Sequence, residues 1–254
     1  MNPLRLITIP ISHYCEKARW ALQRSGLPFH EERHLQLFHL WYSYKAGKSD
    51  SVPILVTPNQ VLTDSTDILK WIDTQVKEEL RLYPTDPAVK KEVEDFEDSL
   101  DEGFGSAGRQ WMYTFLLDQN SIVHKYSEIH GVPKLELKIL PIILPLMKGL
   151  IRKDLELTLN TRAESQQAIN EIFKDVAIRL SDGRNHLFGN QFTAADLTFA
   201  ALSAAVLIPE NYGVVLPGIE ELPEEMRIQI LKWREHPAGK YALRIYQTHR
   251  HAKT

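Results

Sequence analysis

Cysteine is all but missing: the 254 residues hold one, Cys15. No internal disulfide and no thiolate zinc cluster can form, and a reducing compartment is the fitting context. Long hydrophobic runs are missing too. The longest, residues 139–147, contains Pro141 and Pro145 and is far short of the ~20 residues that span a bilayer. An excess of positive charge is also absent, since 30 Lys and Arg against 33 Asp and Glu leave a net charge of −3. Such a chain has no general surplus to neutralise phosphates, which disfavours nucleic acid as a partner. The apolar run 6–11 leads into Ser12-His13-Tyr14-Cys15-Glu16-Lys17 rather than a small-residue cleavage site, which reads against a secretory signal. A cytoplasmic protein is expected.

What is present is ordinary for a globular protein: 43% apolar residues and 25% charged. At about 150 residues per domain the length predicts one large or two modest domains. The first third mixes signals. Residues 4–9 read as a strand, 14–25 as a helix with Tyr14, Ala18, Ala21, Leu22 and Ser25 on one stripe, and Gly26 as its end. Residues 29–34 read as a second strand, 54–56 and 61–62 as a hairpin, and 65–76 as a helix, giving the order β-α-β-(α)-β-β-α. Residues 80–88, with Pro84 and Pro87 around Thr85-Asp86, have linker composition, and everything beyond reads as helix. The domains are therefore expected at 1–79 and 89–254.

Three segments carry chemistry. In Ile9-Pro10-Ile11-Ser12-His13-Tyr14-Cys15 a strand runs into a helix N-terminus, where backbone N–H groups and the dipole favour an anion such as a thiolate. From this segment alone, Ser12 reads first as a plain N-cap. In Ser51-Val52-Pro53-Ile54-Leu55 a Val-Pro step precedes a strand; a cis proline there would offer the backbone of Val52 to an extended peptide, and an ordinary trans proline is the alternative. In Thr63-Asp64-Ser65-Thr66-Asp67-Ile68 Asp64 or Ser65 caps a helix, or the exposed helix end takes a carboxylate while Asp64 takes an ammonium, as an α-amino acid head group requires.

In this order and spacing, the segments Ser12 through Leu22, Val52-Pro53-Ile54-Leu55 and Thr63 through Ile68 resemble the amino-terminal domain of cytosolic glutathione S-transferases. Farther on, Gly189-Asn190-Gln191-Phe192-Thr193-Ala194-Ala195-Asp196-Leu197, a capping box with Phe192 positioned to staple Leu197, is similar to the folding signature of their helical domain. The resemblance implies a thioredoxin-like α/β domain followed by an all-helical bundle, glutathione as co-substrate, a hydrophobic electrophilic small molecule as second substrate, and a homodimer. It implies that Val52, before a cis Pro53, pairs with the cysteinyl part of glutathione, and that Asp64 and Ser65 hold the γ-glutamyl end. Ser12 matches the hydroxyl that activates the thiol in the serine-type classes, with Tyr14 and then Cys15 as competing candidates. For the glycine end the candidates are His39, Lys45 and Lys48, of which Lys48 is the nearest full charge; the same segment reads as solvated loop.

The redox-active branch of that superfamily has a Cys-Pro-x-Cys arrangement, of which only Cys15 remains here, so a two-cysteine cycle is excluded. Cys15 reads as a small buried thiol, with thiol-dependent reduction as the alternative, and a non-catalytic binding module is the other competing function. Gly103-Phe104-Gly105-Ser106-Ala107-Gly108 fits G-x-G-x-x-G, yet no strand precedes it, so a bending or closely packed helix is expected rather than a dinucleotide site. Beside it Arg109, Trp111, Met112, Tyr113 and Phe115 border the second-substrate pocket by resemblance, or pack as core. No metal site is expected: the closest pairing of the ten histidines, His249-x-His251, lies in what reads as a solvated basic tail. Residues 134–159, apolar with cationic punctuation, read as a helical insertion over the pocket mouth; membrane contact is disfavoured by the two prolines.

Overall fold

The computed structural model describes residues 3–251. It opens with β1 (Leu4–Thr8), α1 (His13–Ser25), β2 (Phe29–Arg33), α2 (Phe38–Gly47), β3 (Ile54–Val56), β4 (Val61–Leu62) and α3 (Ser65–Gln75). The strands form one sheet in the order β2-β1-β3-β4, with β1 and β2 parallel and the other pairs antiparallel. The α1 crossover is what allows neighbouring β1 and β2 to run parallel. There follow α4 (Pro87–Ser99), α5 (Ser106–Leu116), α6 (Asn120–Ile129), α7 (Lys134–Asp154), α8 (Leu159–Arg179), α9 (Ala194–Leu207), α10 (Glu224–Glu235) and α11 (Pro237–His249). The architecture is a thioredoxin-like α/β domain followed by a helical domain.

Local chemistry explains most boundaries. Gly26 ends α1 at φ +70°, a left-handed conformation that glycine adopts without cost. Asp64 starts α3 by accepting the Thr66 and Asp67 N–H groups at 2.8 and 3.2 Å. Helix α4 starts inside the segment read as linker, because Asp86 caps Ala88 and Val89 at 2.9 and 3.0 Å and Pro87 occupies the first turn, where no N–H is needed. Between α4 and α5 the helix widens into a π-turn over Leu100–Gly105. A Cβ on Gly105 would collide with the Tyr14 hydroxyl, so the glycine permits that approach.

The core is centred on α9, which is buried along its whole length. Its start is tied by Asp196, whose carboxylate accepts the Thr193 N–H at 2.7 Å, the Leu187 N–H at 2.7 Å and the Tyr241 hydroxyl. Phe192 and Leu197 both join this core. A second cluster forms under α7, where Leu140, Leu144, Met147 and Ile151 recur at helical spacing and pack with Leu35, Leu117 and Val132. Pro141 and Pro145 lie inside α7, which is nonetheless continuous. Glu136, near its start, accepts the Leu35 N–H at 2.8 Å and meets His34 Nδ1 at 2.7 Å.

The C-terminal region departs from the expected solvated tail. His249 closes α11 and stacks on Phe192 at 4.3 Å, and Arg250 is buried. Each has a partner in the fold that lies far away in sequence; residues 252–254 of the expected tail lie outside the described residues.

Helix α1 joins the two domains, and three of its buried residues are charged. Lys17 is fully enclosed, with Nζ 2.8 Å from Glu97 and 2.6 Å from Asp101, both of the helical domain, and 2.8 Å from Thr66. Removing one member of such a pair leaves an uncompensated buried charge. Lys17→Met is expected to lower stability by about 3–5 kcal/mol, read from the urea midpoint. Asp95→Asn, which breaks the exposed Lys91–Asp95 pair at 2.8 Å, is expected to leave that midpoint unchanged.

Candidate functional site

The candidate site is built where β1 ends and α1 begins. Ser12 adopts the extended conformation of an N-cap (φ −67°, ψ 123°), and its Oγ accepts the Cys15 N–H at 3.4 Å. The hydroxyl therefore sits at the positive end of the helix dipole. It borders a polar cleft of about 300 Å³ between the domains, which Val52 and Ser51 reach from the loop before β3, His39 from α2, and Arg109 from α5. The Val52–Pro53 bond is cis. An apolar cavity of about 140 Å³ adjoins the cleft, and Ile9, Ile11, Gln36, Met112, Tyr113 and Ile151 line both. Helix α7 closes the apolar side through Leu140, Leu144 and Met147.

Of the residues singled out from sequence, Ser12, Tyr14, His39, Val52, Arg109, Met112 and Tyr113 line the cleft, whereas Trp111 and Phe115 pack in the core. Tyr14 is engaged: its hydroxyl donates to the Asp101 carbonyl at 2.6 Å, and burial and the nearby Asp101 charge raise its pKa. Cys15 points into the fold with no exposed surface, and burial pushes its thiol up to about 11, against the lowering effect of Ser12. Pro53, Asp64 and Ser65 lie outside the lining, the last two at the N-terminus of α3. Lys45 and Lys48 do not line it either; Lys48 Nζ sits 4.6 Å over the Tyr44 ring, while His39 does reach the cleft.

Two further groups define the cleft. His13 is buried, its ring donating to the Gly105 carbonyl, and Nε2 has no partner among the described residues. Burial, reinforced by the Arg109 charge, holds its pKa down to about 3, so the ring is neutral. Arg109 follows from the helical phase of α5, since Arg109, Met112, Tyr113 and Leu116 share one face. Gln36 and His13 were not anticipated as site residues; Gln36 lies in a loop without a motif, and His13 was hidden between two stronger hydroxyl candidates. Among the described residues no group of three or more His, Cys, Asp or Glu side chains is placed to hold a metal ion. None of the described helices is long and apolar enough to cross a membrane.

Residues 6–79 match the family model for the glutathione S-transferase N-terminal domain. No curated protein matches the chain. Among solved structures, the fold is similar to that of the theta class glutathione S-transferase from Xanthomonas axonopodis pv. citri with glutathione bound, at 16% identity, covering 100% of this chain and 99% of that one, with a TM-score of 0.60. It is also similar to a glutathione S-transferase from Methylobacterium radiotolerans in complex with glutathione sulfonate (18% identity, 95% of both chains, TM-score 0.57) and to poplar glutathione transferase F1 (13% identity, 97% and 99%, TM-score 0.59). The first domain is thus of the glutathione S-transferase type, and the whole chain has the fold of that superfamily, with no class assigned.

Two outcomes follow for the groups around Ser12. With its thiol near 11, Cys15 is expected to resist iodoacetamide at pH 8 in the folded chain and to be alkylated on unfolding in urea, as read by mass spectrometry. His13 has a folded pKa of about 3 against an unfolded value near 6.5, so the unfolded chain binds the extra proton and stability falls as pH drops from 6.5 toward 3. His13→Asn is expected to flatten that part of the stability profile, by up to about 1.4 kcal/mol per pH unit, in urea titrations at pH 7, 6 and 5.

Proposed function

We propose that the chain is a glutathione transferase that binds glutathione in the polar cleft and activates its thiol with Ser12. The observation that carries this reading is the meeting, in one cleft at the start of α1, of the Ser12 hydroxyl and the Val52 segment. Solved structures of this fold hold glutathione in one case and glutathione sulfonate in another, which supports glutathione as the ligand.

In this reading Val52 offers its backbone to the cysteinyl part, and Asp64 and Ser65 receive the γ-glutamyl end. His39 takes the glycine end in preference to Lys48, because it borders the cleft. The Ser12 hydroxyl donates to the sulfur, and the α1 dipole adds roughly 0.3–1 kcal/mol in favour of the thiolate. The thiol proton passes to water. The sulfur then gives its electron pair to an electrophilic carbon, and the leaving group departs with the bonding pair. The apolar cavity next to the cleft suits a hydrophobic electrophile. Ser12 is preferred over Tyr14, whose hydroxyl is committed to Asp101, and over Cys15, whose thiol is enclosed and protonated. The proposal extends to a homodimer acting in the cytoplasm.

Ser12→Ala is expected to lower kcat/KM toward 1-chloro-2,4-dinitrobenzene by about 100-fold, the scale for losing one donor to a developing or stored anion. The pH profile of the variant should move toward the pKa of a free thiol, ~8.5, while retention on immobilised glutathione persists. Undiminished activity would remove Ser12 from the role, and retention on glutathione without turnover in the unaltered chain would favour a binding module.

A further inference from the structure

The cleft and the apolar cavity have one cation between them. Among the described residues that line either hollow, Arg109 is the sole Lys or Arg. Its guanidinium makes no ion pair or hydrogen bond with the described residues, and Nε is buried without a partner. The titratable groups that feel its charge do not neutralise it: His13 is held neutral by burial, and Tyr14 and Tyr113 are phenols whose pKa burial raises. Asp50 and Asp154 also border the cleft, but both are exposed and neither pairs with Arg109. A guanidinium in a partly desolvated position with no anion is short of a partner that a ligand can supply.

The neighbouring surface fixes what else that ligand carries. Met112, Tyr113 and Leu116 continue the Arg109 face of α5 into the apolar cavity, whose described lining contains no Lys, Arg, Asp or Glu. An anion at Arg109 is therefore joined to an apolar body. Ser12 and Val52 reach the cleft from the first domain and Arg109 from the second, where its charge is felt by His13 and Tyr14.

We infer that Arg109 is the specificity-determining residue of the second-substrate subsite, and that the substrate class is an electrophile that is also an apolar organic acid, whose carboxylate pairs with the guanidinium while the apolar part that bears its electrophilic carbon enters the cavity. The word substrate rests on the glutathione transferase reading; the binding site does not, and it is tested without glutathione.

The probes are the anionic dye 8-anilinonaphthalene-1-sulfonate, its uncharged counterpart N-phenyl-1-naphthylamine, and octanoate as competitor, followed by fluorescence at pH 7.5. The full chain is expected to bind the anionic dye and release it to octanoate but not to octan-1-ol. Arg109→Gln should weaken the anionic dye and octanoate by about 10-fold or more, the scale of one charge-assisted pair. The uncharged dye should stay within about twofold, and Arg109→Lys should recover part of the loss. Equal weakening of both dyes would assign Arg109 to apolar packing and overturn the inference, as would no change in either. Loss of retention on immobilised glutathione in Arg109→Gln, with dye binding intact, would give the guanidinium to glutathione and overturn it too. If the unaltered chain ignores glutathione yet shows the dye pattern, the organic-acid site stands and the transferase reading falls.

Discussion

Everything about the cleft depends on how α1 is allowed to be buried while carrying charge. Glu16, Lys17 and Arg19 are all without exposed surface, although an isolated ion in a protein interior costs several kcal/mol. Each is offset by partners from another part of the chain. Lys17 turns to Glu97 and Asp101, with Thr66 as a bridge and Tyr83 donating to the far oxygen of Glu97 at 2.6 Å. Arg19 turns to Glu16 at 2.6 Å and to Glu31 at 2.7 Å, and Glu16 also accepts from Arg250 at 2.6 Å and from the Gly213 N–H at 3.1 Å. Burial alone would raise the Glu31 carboxyl, yet Arg19 and Arg33 hold it down to about 2. The two domains are thus held at one mutual position, since any slide of α1 would strand an ion.

That constraint fixes the cleft. Ser12, His13 and Tyr14 belong to the first turn of the same helix, so the register that satisfies Lys17 also sets where the hydroxyls and the imidazole emerge. The π-turn at Leu100–Gly105 serves both ends: Asp101 offers its carboxylate to Lys17 and its carbonyl to Tyr14, and Gly105 leaves room for the Tyr14 ring. One turn later, α5 brings Arg109 into the cleft. The cleft is therefore a product of domain docking, assembled by the same atoms that hold the domains together.

Much of the fold was legible because its signals are local. Gly26, Asp64, Asp86 and the Thr193–Asp196 pair each act within a few residues, and alternation or helical spacing located the strands and helices around them. What escaped was non-local. The stripe of Tyr14, Ala18, Ala21 and Leu22 pointed inward correctly, but nothing in its spacing revealed that Glu16, Lys17 and Arg19 are enclosed as well, because their partners Glu97, Asp101, Gly213 and Arg250 lie on other elements. The same reason turned Arg250 and His249 into an apparent tail. For the candidate site, the places of Ser12 and Val52 at the cleft could be read from motif spacing, whereas that His13 and His39 line it and Lys48 does not depends on which side of a short helix or turn faces the cleft.

The contrast among the arginines gives the cleft its character. Arg19, Arg33 and Arg250 are drawn into bonds with Glu31, Glu16, Gln23 and backbone carbonyls, and Arg162 is held by the Thr114 hydroxyl and carbonyl and by Glu225. These charges are consumed by structure. Arg109 lies half-buried on the face of α5 that turns from the core toward the cleft, one turn before Met112 and Tyr113 begin the apolar wall. A cation there adds nothing to docking, and burying it further without a partner would cost stability. Its position is explained by the cleft rather than by the fold, at the boundary where a polar hollow beside Ser12 gives way to a cavity that excludes charge.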